Sequence, residues 1–391
     1  MYRNTRFGEL LKGFPRRSFQ KLVEVTGSDK HYKRFRSWDH LVSMVYAQFS
    51  GCSSLREIEA GFNSQSIHHY HLGVGDIRRS TLSEANGKRD ARVFERACGL
   101  LLQQASRQVR KELKDLIYLL DSTPIPLEGL GYDAWAAPHR TSRSQGLKVH
   151  MQYQPDAGLP TDMAMTPPNV PDVLLGRETR LEAGATYVFD KGYYDYNWWH
   201  QIDRADAVFV TRLKTNAGIK VTGALDIPPE DQAVILKDER IQFKNKRPGG
   251  HRVNDYHGRE IRRVMVYRPD KDSPLVLVTN DFDRSAAEIA LLYKQRWGIE
   301  LFFKWLKQNL KIKQFIGRSE NAVRVQIYTA MIGYLLLHRF RQTHQIGTSM
   351  KLLLTTLKTG LFQRMETEHT LEKRRRSRIR ENQAVQGCLA L

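Results

Sequence analysis

Four polar residues between positions 291 and 310 recur at the spacing of a single helix face. They are Tyr293, Arg296, Glu300 and Lys307, and at about 100° of rotation per residue the last three lie within about 60° of Tyr293. The apolar residues of the segment fall on the other side: Leu292, Ile299, Phe302, Phe303, Leu306 and Leu310. The segment therefore predicts a helix that packs on a core and presents a row of polar groups suited to a polyanion held around a metal ion.

The charge balance narrows the class of partner. Lys and Arg number 62 against 42 Asp and Glu, and the net charge of +20 is spread along the 391 residues. Such a surface attracts polyanions such as DNA or RNA. No run reaches the roughly 18 apolar residues that span a bilayer, and the first residues lack the apolar core of a signal peptide. We therefore expect a nucleic-acid partner, no membrane partner and a cytoplasmic, nucleoid-associated location in a bacterium.

Cysteine usage agrees with a reducing compartment. The three cysteines, Cys52, Cys98 and Cys388, are widely separated in the sequence. This spacing gives neither a disulfide framework nor a CxxC zinc pair.

The pattern from residue 38 to about residue 111 is helical, with short segments broken by polar turns. Ser53 or Ser54 and Thr81 stand where N-caps are expected. Basic residues are grouped around the third segment: Arg78, Arg79, Lys88, Arg89 and Arg92. This favours a helix-turn-helix-like DNA-binding domain over residues 1–112, with a basic, solvated helical domain as the alternative.

Beyond this region, apolar runs lead directly to single acidic residues. LIYLL precedes Asp121 and TYVF precedes Asp190, so each run predicts a buried strand with a carboxylate at its C-terminal end. Over residues 113–214 the predicted order is three strands, helix, strand, helix, strand. Residues 215–274 are rich in Lys, Arg, Gly and Pro with short alternating stretches, which favours a β-rich insertion. The helix that carries Glu300 follows it.

Three carboxylates are thus the candidate catalytic and metal-binding residues: Asp121, Asp190 and Glu300. Neighbouring strand ends with a helix packed across them would bring the three together, and two Mg²⁺ ions held there would support cleavage and transfer of phosphodiesters. For any one such Asp, the alternative is a cap or turn residue. The competing acidic residues are Asp133, Asp162, Asp172 and Asp195. Asp162 is interpreted as a turn residue.

The spacing Tyr293-x2-Arg296-x3-Glu300-x6-Lys307 resembles the Tyr-Arg-Glu-Lys signature of transposases of the insertion sequence 4 family. DST at Asp121 and FDKGYYDY around Asp190 resemble that family's two Asp motifs, and the likeness runs through nearly the whole chain. The resemblance implies an α/β fold with a ribonuclease H-like catalytic core, interrupted by a β-rich insertion between the second Asp and the Glu. The implied divisions are a helical N-terminal DNA-binding domain (1–112), the core in two parts (113–214 and 275–345), the insertion (215–274), and a C-terminal helix with a basic tail (346–391).

The resemblance also implies a mechanism. Asp121, Asp190 and Glu300 would hold two Mg²⁺ ions, with Mn²⁺ able to substitute, for cleavage at the inverted ends of the element. The freed 3′-hydroxyl would then attack target DNA, in a cut-and-paste reaction that passes through a hairpin. Tyr293, Arg296 and Lys307 would hold phosphates near the scissile bond. The partners implied are the terminal inverted repeats, target DNA and a second copy of the chain in a synaptic dimer.

Aromatic residues depart from this pattern in one respect. Some relatives stack a flipped hairpin base on a Trp of the insertion, but no Trp lies between Trp199 and Trp297. Phe243, Tyr256 and Tyr267 are the aromatic alternatives.

Two tryptophans, Trp297 and Trp305, flank the polar row on its helix. We interpret them as packing residues, with base contact as the alternative.

Two other functions remain open from the sequence. One is a related nuclease or junction resolvase that releases its products instead of joining them. The other is a DNA-binding descendant whose catalytic site has decayed.

Overall fold

The computed structural model of the chain describes residues 4–138, 145–248, 250, 252–312 and 314–365. The basic tail predicted at the end of the 346–391 segment lies outside these residues. The chain divides into two units, one formed by Met1–Ala85 with Leu336–Leu391 and the other by Asn86–Leu335. The candidate catalytic residues all belong to the second unit.

The described part of the first unit is helical. Its helices are α1 (Arg6–Lys12), α2 (Arg16–Thr26), α3 (Ser37–Ser50), α4 (Leu55–Asn63), α5 (His69–Leu72), α6 (Arg79–Lys88, which ends in the second unit) and α13 (Met350–Gly360). Ser54 caps α4 by accepting a hydrogen bond from the Glu57 N–H at 3.2 Å, as the sequence predicts. The prediction of Thr81 as an N-cap is wrong, because α6 begins at Arg79, whose N–H is satisfied from outside by Glu59 Oε1 at 2.9 Å.

The second unit is built on one mixed sheet. Its strands are β1 (Ile117–Pro126), β2 (Ala137–Pro138), β3 (Gln145–Gln154), β4 (Leu159–Thr166), β5 (Thr186–Phe189), β6 (Val208–Arg212), β7 (Ile219–Ala224), β8 (Ile235–Phe243), β9 (Ile261–Val266) and β10 (Leu275–Thr279). Their order across the sheet is β2-β3-β1-β5-β6-β10-β9-β8-β7, with β4 also paired to β3. The β-rich segment at residues 215–274 therefore extends the same sheet beyond β10.

Helices join and cover these strands. They are α7 (Arg92–Glu112), α8 (Asp172–Glu178), α9 (Tyr196–Arg204), α10 (Ala286–Gln295), α11 (Trp297–Asn309) and α12 (Glu320–Thr343, which ends in the first unit). Within the described ranges, every helix is too short or too polar to cross a bilayer.

The first five full strands have the predicted order, with the short β2 as an addition. β1 runs antiparallel to β3 and β3 antiparallel to β4. β5 lies between β1 and β6 and is parallel to both, with α8 directly before β5 and α9 between β5 and β6. The fold is thus mixed α/β, and this arrangement is consistent with the expected ribonuclease H-like core.

Asp121 does not end its strand, and in this respect the sequence prediction is wrong. β1 continues to Pro126 because β3 pairs with it antiparallel as far as Gly146. The parallel neighbour β5 stops at Phe189, opposite Leu120. Asp121 therefore lies where pairing on one side of β1 ends, and that side of the strand becomes available to a site.

The polar row lies on two helices instead of the one predicted. α10 and α11 meet at Arg296, whose backbone stays helical at φ −51° and ψ −31°. The bonds there tighten to 3₁₀ spacing: the Arg296 N–H donates to the Tyr293 carbonyl, and the Ile299 N–H donates to the Arg296 carbonyl, each at 3.2 Å. Gly298, a poor helix former, follows the junction.

Candidate active site

Sheet register brings Asp121 beside Asp190. Leu120 pairs with Phe189 in the parallel strands β1 and β5, so the next residue on each strand is one of the two acids. Neighbouring strands lie about 4.8 Å apart. The Asp190 carboxylate accepts a hydrogen bond from the Gly192 N–H at 2.7 Å and caps a short 3₁₀ turn, which fixes its direction.

Arg296 links the third acid to this pair. Its Nη2 donates to Glu300 Oε1 at 2.5 Å, one helical turn along, and its Nη1 donates to Asp121 Oδ2 at 3.3 Å. The guanidinium is thus shared by a helix carboxylate and a strand carboxylate. Asp121, Glu300 and Lys307 also line one cavity of about 400 Å³.

The electrostatics of the site favour an added cation. Burial raises the pKa of Asp121 to about 7, and the negative charges of Asp190 and Glu300 add to this effect. The Ser122 N–H, which donates to the Asp121 carboxylate at 2.8 Å, and Arg296 oppose the shift only in part. The surroundings of Asp121 therefore stabilise its charged form poorly.

The donor set fits a hard divalent ion in its chemistry, since Mg²⁺ and Mn²⁺ prefer carboxylate oxygens. In the described part of the chain, however, no three His, Cys, Asp or Glu side chains stand close enough together to hold a metal ion. Arg296 instead occupies the position between Asp121 and Glu300. A bound cation would compete with this guanidinium for the carboxylates.

Tyr293 lies beside this cluster in the last turn of α10. It is buried, and its ring centroid is 5.7 Å from the Arg296 Cζ. Burial raises the pKa of its phenol, so the hydroxyl stays protonated and can donate a hydrogen bond. The charges of Asp190 and Arg212 also act on this phenol, which places it toward the β5–β6 side of the site.

Lys307 lies on the other side, along β1. Its ammonium donates to Thr123 Oγ1 at 2.7 Å and to the Pro124 carbonyl at 2.9 Å. The structure therefore brings Asp121, Glu300 and Lys307 together in one cavity wall, with Arg296 bonded to the two acids.

A polar network behind the acids was not predicted as part of the site. Asp172, at the start of α8, accepts hydrogen bonds from Ser122 Oγ at 2.8 Å and from Lys148 Nζ at 3.0 Å. His150 approaches the same carboxylate at 3.5 Å. The sequence signal was present, because Lys148 and His150 alternate on an otherwise buried strand and face the same way.

Gly192 is also part of this network. A Cβ at this position would lie 2.9 Å from both Asp172 Oδ2 and Asp190 Oδ1. Only a residue without a side chain allows the two carboxylates to approach the turn together.

The other competing acids have structural explanations. Asp195 caps α9 by accepting from the Asn197 and Trp198 N–H groups. Asp162 lies within β4, opposite Gln152, so its interpretation as a turn residue is wrong. Asp133 accepts a hydrogen bond from Gln145.

Exposure separates the aromatic alternatives. Phe243 and Tyr256 are 3% and 1% exposed, so neither can stack on a nucleic-acid base, whereas Tyr267 is 52% exposed. Trp305 packs edge-on against Tyr334 at 5.3 Å, as predicted. Trp297 is 56% exposed, so its interpretation as a packing residue is wrong.

Comparisons with known proteins agree on one family. Residues 112–336 match the family model described as "Transposase DDE domain", and residues 2–75 match a domain of unknown function, DUF4372. The protein y4zB of Sinorhizobium fredii, which bears the name of a transposase, is 42% identical over 66% of this chain and 69% of its own length. A Geobacillus stearothermophilus protein named for transposition of the insertion sequence element IS5377 is 28% identical over 75% of this chain and 78% of its own.

One solved structure is also similar over most of the chain. It is the piggyBac transposase synaptic complex with hairpin DNA, and the match extends over 90% of this chain and 79% of the piggyBac chain, with 12% identity and a TM-score of 0.48. Similarity at this level is too low to establish a shared fold.

Proposed function

The chain belongs to the transposase DDE domain family and is a DNA-cleaving and strand-transferring enzyme, and from that premise we propose that it moves an insertion sequence of the Tyr-Arg-Glu-Lys type. Its substrates would be the terminal inverted repeats of its own element and target DNA. The core would be ribonuclease H-like, with residues 215–274 as its insertion and residues 1–112 as its DNA-binding domain. It would act as a dimer that holds two element ends in a synapse.

One observation carries this proposal. Asp121 and Asp190 are adjacent across two parallel strands, and Arg296 ties Glu300 to the same point. Three acids that are far apart in the sequence are therefore neighbours, and two of them, Asp121 and Glu300, line one cavity in a protein whose net charge of +20 suits a DNA substrate.

We assign Asp121, Asp190 and Glu300 as the metal ligands. Two Mg²⁺ ions bound by these acids would activate the attacking oxygen and stabilise the leaving oxygen of a phosphodiester displacement. The raised pKa of Asp121 supports this assignment, since burial and the nearby carboxylates disfavour its charged form, which a bound cation would stabilise.

The neighbouring side chains would hold the DNA. Arg296, which neutralises Asp121 and Glu300 in the free protein, would turn its guanidinium toward a phosphate once these acids have another counter-ion. Tyr293 would donate one hydrogen bond to a phosphate oxygen. Lys307, held at Thr123, would supply positive charge at the β1 side of the cavity.

Strand transfer would proceed by cut and paste. The 3′-hydroxyl freed at each end would attack the phosphodiester of the opposite strand, which forms a hairpin and releases the flanking DNA. Hydrolysis of the hairpin would regenerate the 3′-hydroxyl, which would then attack a phosphodiester of target DNA. Tyr267 is the exposed aromatic residue of the three alternatives in the insertion, which supports a stacking role for it on the flipped base.

A joining assay distinguishes this function from a nuclease that releases its products. A precut duplex that ends in the element's own 3′-hydroxyl is incubated with the protein, Mg²⁺ and a supercoiled plasmid. We expect covalent joining to the plasmid, and no joining when the same duplex carries a 3′-deoxy end. Cleavage of an uncut element end without any joining of the precut one would identify a nuclease instead.

A further inference from the structure

An arginine stands in line with the two strand acids. β6 ends at Arg212, and its parallel pairing with β5 matches Val188 to Val210. Extended two residues beyond this pair, the register sets Asp190, the residue directly after β5, opposite Arg212, and the Thr211 hydroxyl donates to the Asp190 carbonyl at 3.3 Å. The same extension of the β1–β5 register puts Asp121, Asp190 and Arg212 in one row at this end of the three strands.

Two lysines accompany this arginine. Lys191 directly follows Asp190 in the sequence. The Lys214 ammonium lies 4.2 Å from the centroid of the Tyr194 ring. We refer to Lys191, Arg212 and Lys214 as the cationic strip.

The described residues provide no counter-ion for this strip. Within them, no carboxylate oxygen lies within 4.0 Å of the side-chain nitrogens of Lys191, Arg212 or Lys214. The Arg212 Nε is also shielded from solvent and has no hydrogen-bond partner there. A buried donor without a partner is unfavourable. The unpartnered Nε and the three positive charges of the strip together favour an anionic ligand at this position.

The shape of a guanidinium indicates which anion. Its planar, forked donors match the paired oxygens of a phosphate, and phosphate is the anion that a DNA-cleaving enzyme meets. Lys307 lies on the opposite side of the acids, where its ammonium donates to the Thr123 hydroxyl on β1. Arg212 lies two strand spacings from β1, about 10 Å.

We propose that the cationic strip binds a backbone phosphate of the DNA on the side of Asp190 opposite Lys307. Arg212 makes the direct contact, and Lys191 and Lys214 strengthen the local field. A strand that passes through the site is then held on both sides of the acids. This inference rests on the proposed function, and it adds a contact that the Tyr293, Arg296 and Lys307 row does not supply.

The salt dependence of DNA binding tests the proposal. Affinity of the full-length protein for a short duplex containing the element end and its flank is measured over a range of NaCl concentrations, without divalent ions so that no cleavage occurs. Each phosphate contact contributes about 0.9 to the slope of log affinity against log salt. Arg212→Ala and Lys214→Ala are compared with the native protein. Arg107→Ala is the matched control, because it removes one exposed positive charge from α7 of the same unit.

We expect Arg212→Ala to lower the slope by about 0.9 and the affinity by about tenfold, as for one charge-assisted hydrogen bond. Lys214→Ala, an exposed change that leaves the sheet intact, should lower the slope in the same direction, and Arg212→Lys should keep the native slope. Native slopes for both Arg212→Ala and Lys214→Ala would overturn the proposal. If the native protein cleaves the duplex in Mg²⁺ but both variants keep the native slope, the proposed function stands. Only the proposed phosphate contact of the cationic strip is then rejected.

Discussion

Arg296 and Asp121 are 175 residues apart in the sequence, yet the arginine donates to the carboxylate at 3.3 Å while also holding Glu300 at 2.5 Å. One guanidinium thus pairs with two of the three proposed metal ligands. Under the proposed function, the same side chain would pair with a phosphate that enters the site. Because Arg296 contacts the acids and would also contact a phosphate, replacing it tests the proposed site directly.

Arg296→Ala should lower the rate of DNA cleavage by about 10²- to 10³-fold, the cost of removing one donor to developing charge at a reacting centre. The acids remain in place, so DNA should still bind. Arg324→Ala is the matched control, because Arg324 forms an i,i+4 pair with Glu320 away from the acids. Cleavage assays with both variants decide the matter, and full-rate cleavage by Arg296→Ala would exclude the phosphate-holding role.

Gly192→Ala should impair cleavage without unfolding the protein. The added Cβ would lie 2.9 Å from both Asp172 Oδ2 and Asp190 Oδ1, so one carboxylate must move. Gly99→Ala, in α7, meets nothing within 4 Å and should stabilise the fold by up to about 1 kcal/mol. Thermal unfolding and cleavage of the two variants are compared. Equal cleavage by both would show that the Asp172–Asp190 approach is not required.

The pH dependence of stability should carry a contribution from His150. Burial lowers the pKa of this histidine to about 4, below the ordinary value near 6.5 of the unfolded chain. Between these values the unfolded state binds more protons, so this histidine makes the free energy of unfolding rise with pH across that window, by up to about 1.4 kcal/mol per unit.

His150→Gln should remove this contribution and flatten the slope between pH 4 and pH 6.5. Denaturant unfolding of the native protein and the variant at several pH values measures it. His257→Gln, which removes an exposed histidine, serves as the control. A slope in His150→Gln equal to the native slope would contradict the account of a buried, neutral ring.

Patterns within a few residues of the sequence were enough to predict the site residues that follow an apolar strand or share one helix face. Asp190 follows an apolar run that is a strand, and the helix-face spacing of Arg296, Glu300 and Lys307 survives the break between α10 and α11. Periodicity reports local structure well because it depends on neighbours within a few residues.

The register between strands and the length of β1 could not be predicted from such short patterns. β1 extends past Asp121 because of its pairing with β3, and Arg212 aligns with the acids only through the pairing of β5 with β6. Asp172 joins the site through Ser122, a residue 50 positions away. These contacts depend on how distant segments pair, which no short window of sequence contains.

The most direct test of the central claim is cleavage of a duplex spanning one element end and its flank, in Mg²⁺, by protein with one acid neutralised. Asp121→Asn, Asp190→Asn and Glu300→Gln should each bind the duplex but fail to cut it. Chelation of the divalent ion with EDTA should likewise abolish cleavage by the native protein. Asp115→Asn, an exposed acid on the same unit, should cut at the native rate. Native-rate cleavage by any of the first three variants would contradict a single site built from these acids.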